Sequence, residues 1–283
     1  MCVGALLTEY YDSVWSAPAH VFLLWPLCSR FQRGLENLTH EATHYNFCRN
    51  SSKWNDRLAN WLCAYWVLLS VDMFRKSHRI HHGLFGSEVD PDKVRFAELN
   101  IDHIPRSRRQ VFGYLLHVLP IYIFGYWKQF SNKRGQFLKS VILHVLLASL
   151  ISYVWYRNFW VLWLVYFWVP FVFYLPVHRF LAEAEEHRYQ NSETEFEATF
   201  SNLGRFQRWF FHPHGDAYHL LHHLLPQIPH WKIAWTHRRL LALDTAYNDG
   251  QYRTTLLESP KTLLRCSPDQ PVQKERILDA STL

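Results

Sequence analysis

The runs SVILHVLLASLISYVWY (Ser140–Tyr156) and NFWVLWLVYFWVPFVFYLPV (Asn158–Val177) are apolar over membrane-spanning lengths and stand almost end to end. Little more than Arg157-Asn158 separates them, and so short a link allows only a tight turn between antiparallel helices. The pair therefore predicts a transmembrane hairpin over about 140–177, with aromatic residues near its turn in an interfacial belt. The preceding segment, Trp127 to Lys139, carries four Lys/Arg and the turn carries one. By that asymmetry the hairpin leaves the cytoplasmic side at Ser140 and returns to it near Val177.

Other apolar blocks are weaker. Val111–Tyr126 contains His117, Pro120 and Gly125 and is expected to be interfacial or re-entrant, because a crossing would put the histidines on either side of it on opposite faces. Leu58–Met73 is amphipathic, and Val14–Cys28 is short and broken by Pro18, His20 and Pro26. The fold class expected is an all-α integral membrane protein, a helical hairpin with a cytosolic helical cap. Residues 1–249 would form one domain, and the polar stretch 250–283 a poorly ordered tail.

Composition narrows the partners. The chain has 283 residues and a net charge of +6, which might suggest nucleic acid. Its basic residues, however, sit beside apolar blocks (Arg106, Arg108, Arg109, Lys128, Lys133, Arg134, Lys139), as at a cytoplasmic membrane face, and no nucleic-acid-binding motif is present. The five cysteines are odd in number and lack CxxC spacing, which argues against both a disulfide framework and a thiolate metal site.

The chain has 18 histidines, and eight of them fall into three patterns: HEATH (His40, His44), HRIHH (His78, His81, His82) and HLLHH (His219, His222, His223). On a helix the spacings i, i+3 and i+4 share one face, so each pattern can aim two or three imidazoles at one point. Eight such nitrogens exceed the needs of one four-coordinate zinc and suit two metal ions with open positions. A membrane zinc hydrolase would use fewer ligands and a carboxylate base. A metal or haem carrier would place its histidines inside the spans, where only His117 and His144 lie.

The order HEATH, HRIHH, HLLHH, with the hairpin between the second and third patterns, resembles the membrane-bound fatty acid desaturase family, which includes hydroxylases. The resemblance covers roughly residues 33–240. It implies a non-haem di-iron centre at the cytosolic membrane face that uses O2 on an unactivated C–H bond. That chemistry would desaturate an acyl chain or similar apolar substrate, or hydroxylate a small specialised metabolite. AEAEEH (Ala182–His187) resembles the family's additional ligand position and makes His187 a ninth ligand, with His178 as its rival. HLLHHLLPQIP resembles the family's third box, and no catalytic residue is implied beyond the ligands.

The family's full hairpin before the first box is not matched: 39 residues precede His40, so this hairpin is expected to be shortened. HPHG (His212–Gly215) is not the HPGG of a fused cytochrome b5, so electrons are expected from a separate ferredoxin or cytochrome b5 with its reductase. Glu41 and Asp216 could hold the second nitrogens of ligand imidazoles or be solvated. Asp90 and Asp92, in SEVDPD, read as a Pro-containing acidic turn, with the orienting of a loop near the metal as the alternative. His212 and His214 are expected near the cluster, His237 beside it as structural, and His20, His103, His117, His144 and His230 as structural.

Overall fold

The computed structural model describes residues 16–104, 108–131, 134–190, 192, 194–253 and 261–262. A helical run enters through Ser16–Ala19 and a π turn at His20–Leu24, next to Pro26, whose missing N–H interrupts the hydrogen-bond ladder, and continues as α1, Trp25–Thr43. The buried face of α1 is polar: Ser29, Gln32, Arg33, Glu36, Asn37 and His40 recur at helical spacing. The helix ends at His44, and Tyr45 takes a left-handed conformation (φ 62°). HEATH thus forms the last turn of α1.

Two short helices follow. In α2, Ser52–Leu62, the Ser51 side chain accepts from Trp54 N, and in α3, Val71–Gly83, that of Ser70 accepts from Met73 N. HRIHH occupies the end of α3. The next helix, α4 (Pro91–Leu99), is capped by Asp90 and begins on Pro91.

Arg108–Ser131 forms α5, one continuous helix through Pro120, so the block expected to be interfacial or re-entrant has no re-entrant break. Val118, Tyr122, Tyr126 and Phe130 on one side of α5 join Phe171, Leu175 and Phe180 in the main apolar core. On the other side Phe112, Leu116, Ile121 and Phe124 are exposed.

The hairpin expected from the sequence is made by α6, Arg134–Val154, and α7, Phe159–Glu183, both long and apolar enough to cross a membrane. Leu146 and Leu150 of α6 are 63% and 58% exposed, which is costly in water and neutral against lipid. α7 carries π segments at Leu164–Trp168 and Pro170–Tyr174, next to the prolines that interrupt its hydrogen-bond ladder. α1 packs along α7, and His20 reaches Tyr166 Oη at 2.7 Å.

Beyond the hairpin come the one-turn α8 (Glu195–Ala198), β1 (Phe200–Asn202), α9 (Arg205–Phe210), α10 (His219–Leu224) and α11 (His230–Leu243). The architecture is mostly helical but not all-α. β1 pairs in parallel with β2, Gln251–Arg253, which pairs antiparallel with β3, Lys261–Thr262. The stretch from 250 therefore begins as ordered structure, with Tyr252 fully buried under α10 and α11. The rest of the expected tail lies outside the described residues.

Candidate metal centre

Three helix ends and one bridge bring the histidines together. His40 and His44 leave the end of α1; His78, His81 and His82 leave α3; His219, His222 and His223 leave α10. His187 follows α7 and is fixed by an isolated bridge to Thr199, whose Oγ1 lies 3.3 Å from its Nδ1. All nine residues expected as ligands converge, and they divide into two groups. His40, His44, His78, His82 and His222 place one ring nitrogen each within 4.8 Å of one another, and so do His81, His187, His219 and His223.

The inward atoms are Nε2. His40 Nε2 is 2.7 Å and His44 Nε2 2.8 Å from His78 Nε2, and His82 Nε2 is 3.2 Å from His222 Nε2. In the second group His219 Nε2 stands 3.0 Å from His187 Nε2 and 3.2 Å from His223 Nε2. The outward nitrogens fix the tautomers where they meet carboxylates, which only accept. His81 donates Nδ1–H to Asp90 Oδ1 at 3.0 Å, and His223 donates Nδ1–H to Glu195 Oε1 at 2.5 Å. With both rings neutral, their Nε2 lone pairs face each other across 3.3 Å. A cation between them removes that repulsion, so the donor set fits a metal.

Electrostatics points the same way. Burial first, then neighbouring imidazoles, hold His40, His78, His187, His222 and His223 well below the usual histidine value. Burial takes His44 down to about 4 and His219 to about 3. These rings are neutral near pH 7 and free to ligate. His81 differs: burial opposes its charge, but Asp92 and Asp90 outweigh burial and raise its pKa.

Below the second group lies a buried charged cluster. His212 is within 3.7 Å of Glu185 and Glu186 and 3.4 Å from Asp216, and the hydrogen bonds from Asp216 and Glu185 outweigh burial to raise it to about 9. Asp216 pairs with Arg33 Nη2 at 3.1 Å and stands 3.9 Å from His40 Nδ1, close to the role the sequence suggested for it.

Glu41 is a correction. Its carboxylate is buried, yet it accepts from Asn46 Nδ2 and His230 N rather than from a ligand ring. His178 is set apart from the groups: its Nε2–H donates to Phe210 O at 2.8 Å, and Nδ1 meets Ser29 Oγ. His237 bonds Tyr247 Oη at 2.8 Å, as a structural residue would. His214 meets His230 edge-on and lines a small cavity with His40 and His222 of the first group, near the cluster as the sequence suggested. Asp90 is the turn residue the sequence suggested, capping α4, and it also holds a cluster histidine, a contact the sequence did not suggest. Glu195 and Arg33 were not singled out from the sequence. Glu195 lies 28 positions before His223, and its local pattern, the capping box of Thr194 and Glu197, signals only a helix start.

Residues 14–255 match the family model described as fatty acid desaturase. The chain belongs to the fatty acid desaturase family. Among curated relatives, it is 26% identical over 238 residues to an endoplasmic reticulum omega-3 fatty acid desaturase of Vigna radiata var. radiata, covering 75% of this chain and 62% of the relative. It is 26% identical to an sn-1 acyl-lipid omega-3 desaturase (ferredoxin) of Nostoc sp., over 82% of this chain and 70% of the relative. A dihydrorhizobitoxine desaturase of Bradyrhizobium elkanii is 28% identical, over 78% of this chain and 66% of that relative. The chain thus spans somewhat under two thirds of the first of these desaturases. No solved structure matches it significantly.

Proposed function

We propose that this member of the desaturase family is an O2-dependent, non-haem di-iron desaturase, held in a bilayer by α6 and α7 with its histidines at the cytoplasmic face. The observation that carries the reading is the division of nine imidazoles into groups of five and four, adjacent to each other and fully formed by the chain. His40, His44, His78, His82 and His222 would hold one iron, and His81, His187, His219 and His223 the other. Two irons so held supply oxygen activation strong enough to take hydrogen from an unactivated C–H bond.

The electron count requires a donor. O2 accepts four electrons on reduction to two waters; desaturation of a CH2–CH2 unit yields two of them with two protons. The other two electrons come from an external carrier of ferredoxin or cytochrome b5 type, and ferredoxin stands in the printed name of the Nostoc relative. Asp90 and Glu195 hold His81 and His223 with Nε2 inward, and burial keeps most of the other rings unprotonated for ligation. The relatives' names cover fatty acids and one other compound, dihydrorhizobitoxine, so family membership alone does not select the substrate.

Metal analysis tests the reading. Purified in detergent from iron-replete cells, the chain is expected to hold about two iron atoms. Zinc as the main metal under those conditions would overturn it.

A further inference from the structure

A cleft of about 440 Å³ opens beside the histidines and touches both groups, through His40 and His78 of one and His81 and His219 of the other. A carbon to be oxidised there would lie between the two metal positions. The cleft's wall is mixed, charged along one part and apolar along another. Four basic and four acidic side chains line it, among them Arg33, Arg95 and Arg179 facing Asp92, Glu183 and Glu186. Its apolar part is comparable in extent and comes from Leu69, Met73, Phe74, Ile80 and Pro91. An alkyl chain laid along the charged part would strip water from buried charges and return no hydrogen bond.

Five polar atoms of the lining residues have no hydrogen-bond partner among the described residues: Arg33 Nε, Asn37 Oδ1, Arg95 Nε, Glu186 Oε1 and His219 Nδ1. Arg95 Nε still faces Glu183 at 3.3 Å and Glu186 Oε1 faces Arg33 Nη2 at 3.6 Å, whereas Arg33 Nε, a donor, and Asn37 Oδ1, an acceptor, have no such counterpart. Both side chains are nearly inaccessible: Arg33 is 5% and Asn37 2% exposed. Buried polar groups left this way are costly and mark places where a ligand supplies the partner. An anionic group satisfies the Arg33 guanidinium edge, and an ammonium N–H donor satisfies Asn37 Oδ1. The balanced charge of the lining favours a molecule that carries both.

We propose that the cleft binds a small zwitterion, a molecule with one carboxylate and one ammonium group, whose short apolar body rests on Met73 and Phe74 beside the histidines. The assignment rests on the di-iron reading for the identity of the reacting centre, and it replaces an acyl chain with a polar substrate.

Calorimetric titration of the purified full chain with three probes tests it: norleucine, hexanoate (the same chain without the ammonium) and pentylamine (without the carboxylate). Norleucine is expected to bind at least about tenfold more tightly than either single-charge probe, a difference of about 1.4 kcal/mol. Hexanoate or pentylamine within that factor, or no heat from any probe, overturns the proposal. In Arg33→Gln the preference for norleucine over pentylamine should fall to near unity, and a preference kept in full would equally overturn it. The wild-type comparison does not depend on that variant folding. Iron counted on the same sample separates the two readings: two irons without a zwitterion preference sinks only the cleft assignment, and a preference without iron sinks only the di-iron reading.

Discussion

Asp90 accepts from His81 Nδ1 at 3.0 Å and from the backbone N–H of Asp92 at 2.9 Å, so one fully buried carboxylate both orients a ring of the cluster and starts α4. Its other oxygen accepts from Gly86 N at 2.9 Å. In Asp90→Asn the amide NH2 must face one of these N–H donors, and the negative charge behind the imidazole is lost. Iron affinity is expected to fall by about 10- to 100-fold, the usual effect of removing a ligand's outer partner. Competition with a chelator during dialysis measures it, and unchanged retention would contradict the orienting role.

His222 on α10 and His178 on α7 are both buried histidines, yet they should behave oppositely. His222 Nε2 points at His82 in the five-nitrogen group, whereas His178 bonds Phe210 O and stacks on the Phe210 ring at 4.7 Å. His222→Ala should lose iron and turnover with the chain still folded. His178→Ala should keep about two irons per chain and lose stability by about 1–3 kcal/mol, from the unpaired carbonyl and lost packing. Metal content and melting temperature, measured on both variants, discriminate.

What the sequence made legible follows from period and length. HRIHH and HLLHH repeat at helical spacing, so their rings had to share a face, and two apolar runs joined at Arg157 had to form a hairpin. What it hid depends on contacts between distant positions. Glu195 reaches His223 only because β1 and α8 fold the segment after His187 back toward α10. Arg33 looks like an ordinary helix cation until Asp216, 183 positions later, meets it. Strands of two or three residues are too short to show an alternating pattern, so the sheet that orders Tyr252 left no trace.

Arg75 is the clasp on the first histidine pattern. Its Nη2 donates to Ala42 O at 2.9 Å, beside the donors Tyr45 N and Asn55 Nδ2, and its Nε to Thr43 O at 3.1 Å, a carbonyl at the end of α1. The same guanidinium pairs with Asp56, which tethers α2 to the arrangement. Lysine carries the charge but cannot serve three acceptors in one plane. Arg75→Lys is therefore expected to lose about 1–3 kcal/mol of stability and to lower iron occupancy through His40 and His44. Chemical denaturation alongside metal analysis checks both effects, and a fully loaded, equally stable variant would remove Arg75 from this role.

The metal-free chain should have a stability maximum near pH 6.5, because its buried histidines fall into two classes. Burial lowers His44 to about 4 and His219 to about 3, and the other lowered rings behave alike. Below the ordinary value of 6.5 the unfolded chain takes up protons that the folded chain refuses, so stability falls as the pH drops from 6.5 toward 4. His212, raised to about 9, works in the other direction: its contribution is complete below 6.5 and is lost as the pH rises through 9. Glu186, raised to about 8 first by burial and then by Asp216, stays protonated where the unfolded carboxyl has ionised. It therefore adds to the loss on the alkaline side up to pH 8. On the acid side that one carboxyl opposes the lowered histidines, eight of them in the two groups alone, and is outweighed. Melting temperatures of chelator-treated protein between pH 4.5 and 9.5 should trace a peak with a steep acid limb, and a flat profile from pH 4.5 to 6.5 would show that these rings are not held neutral by the fold.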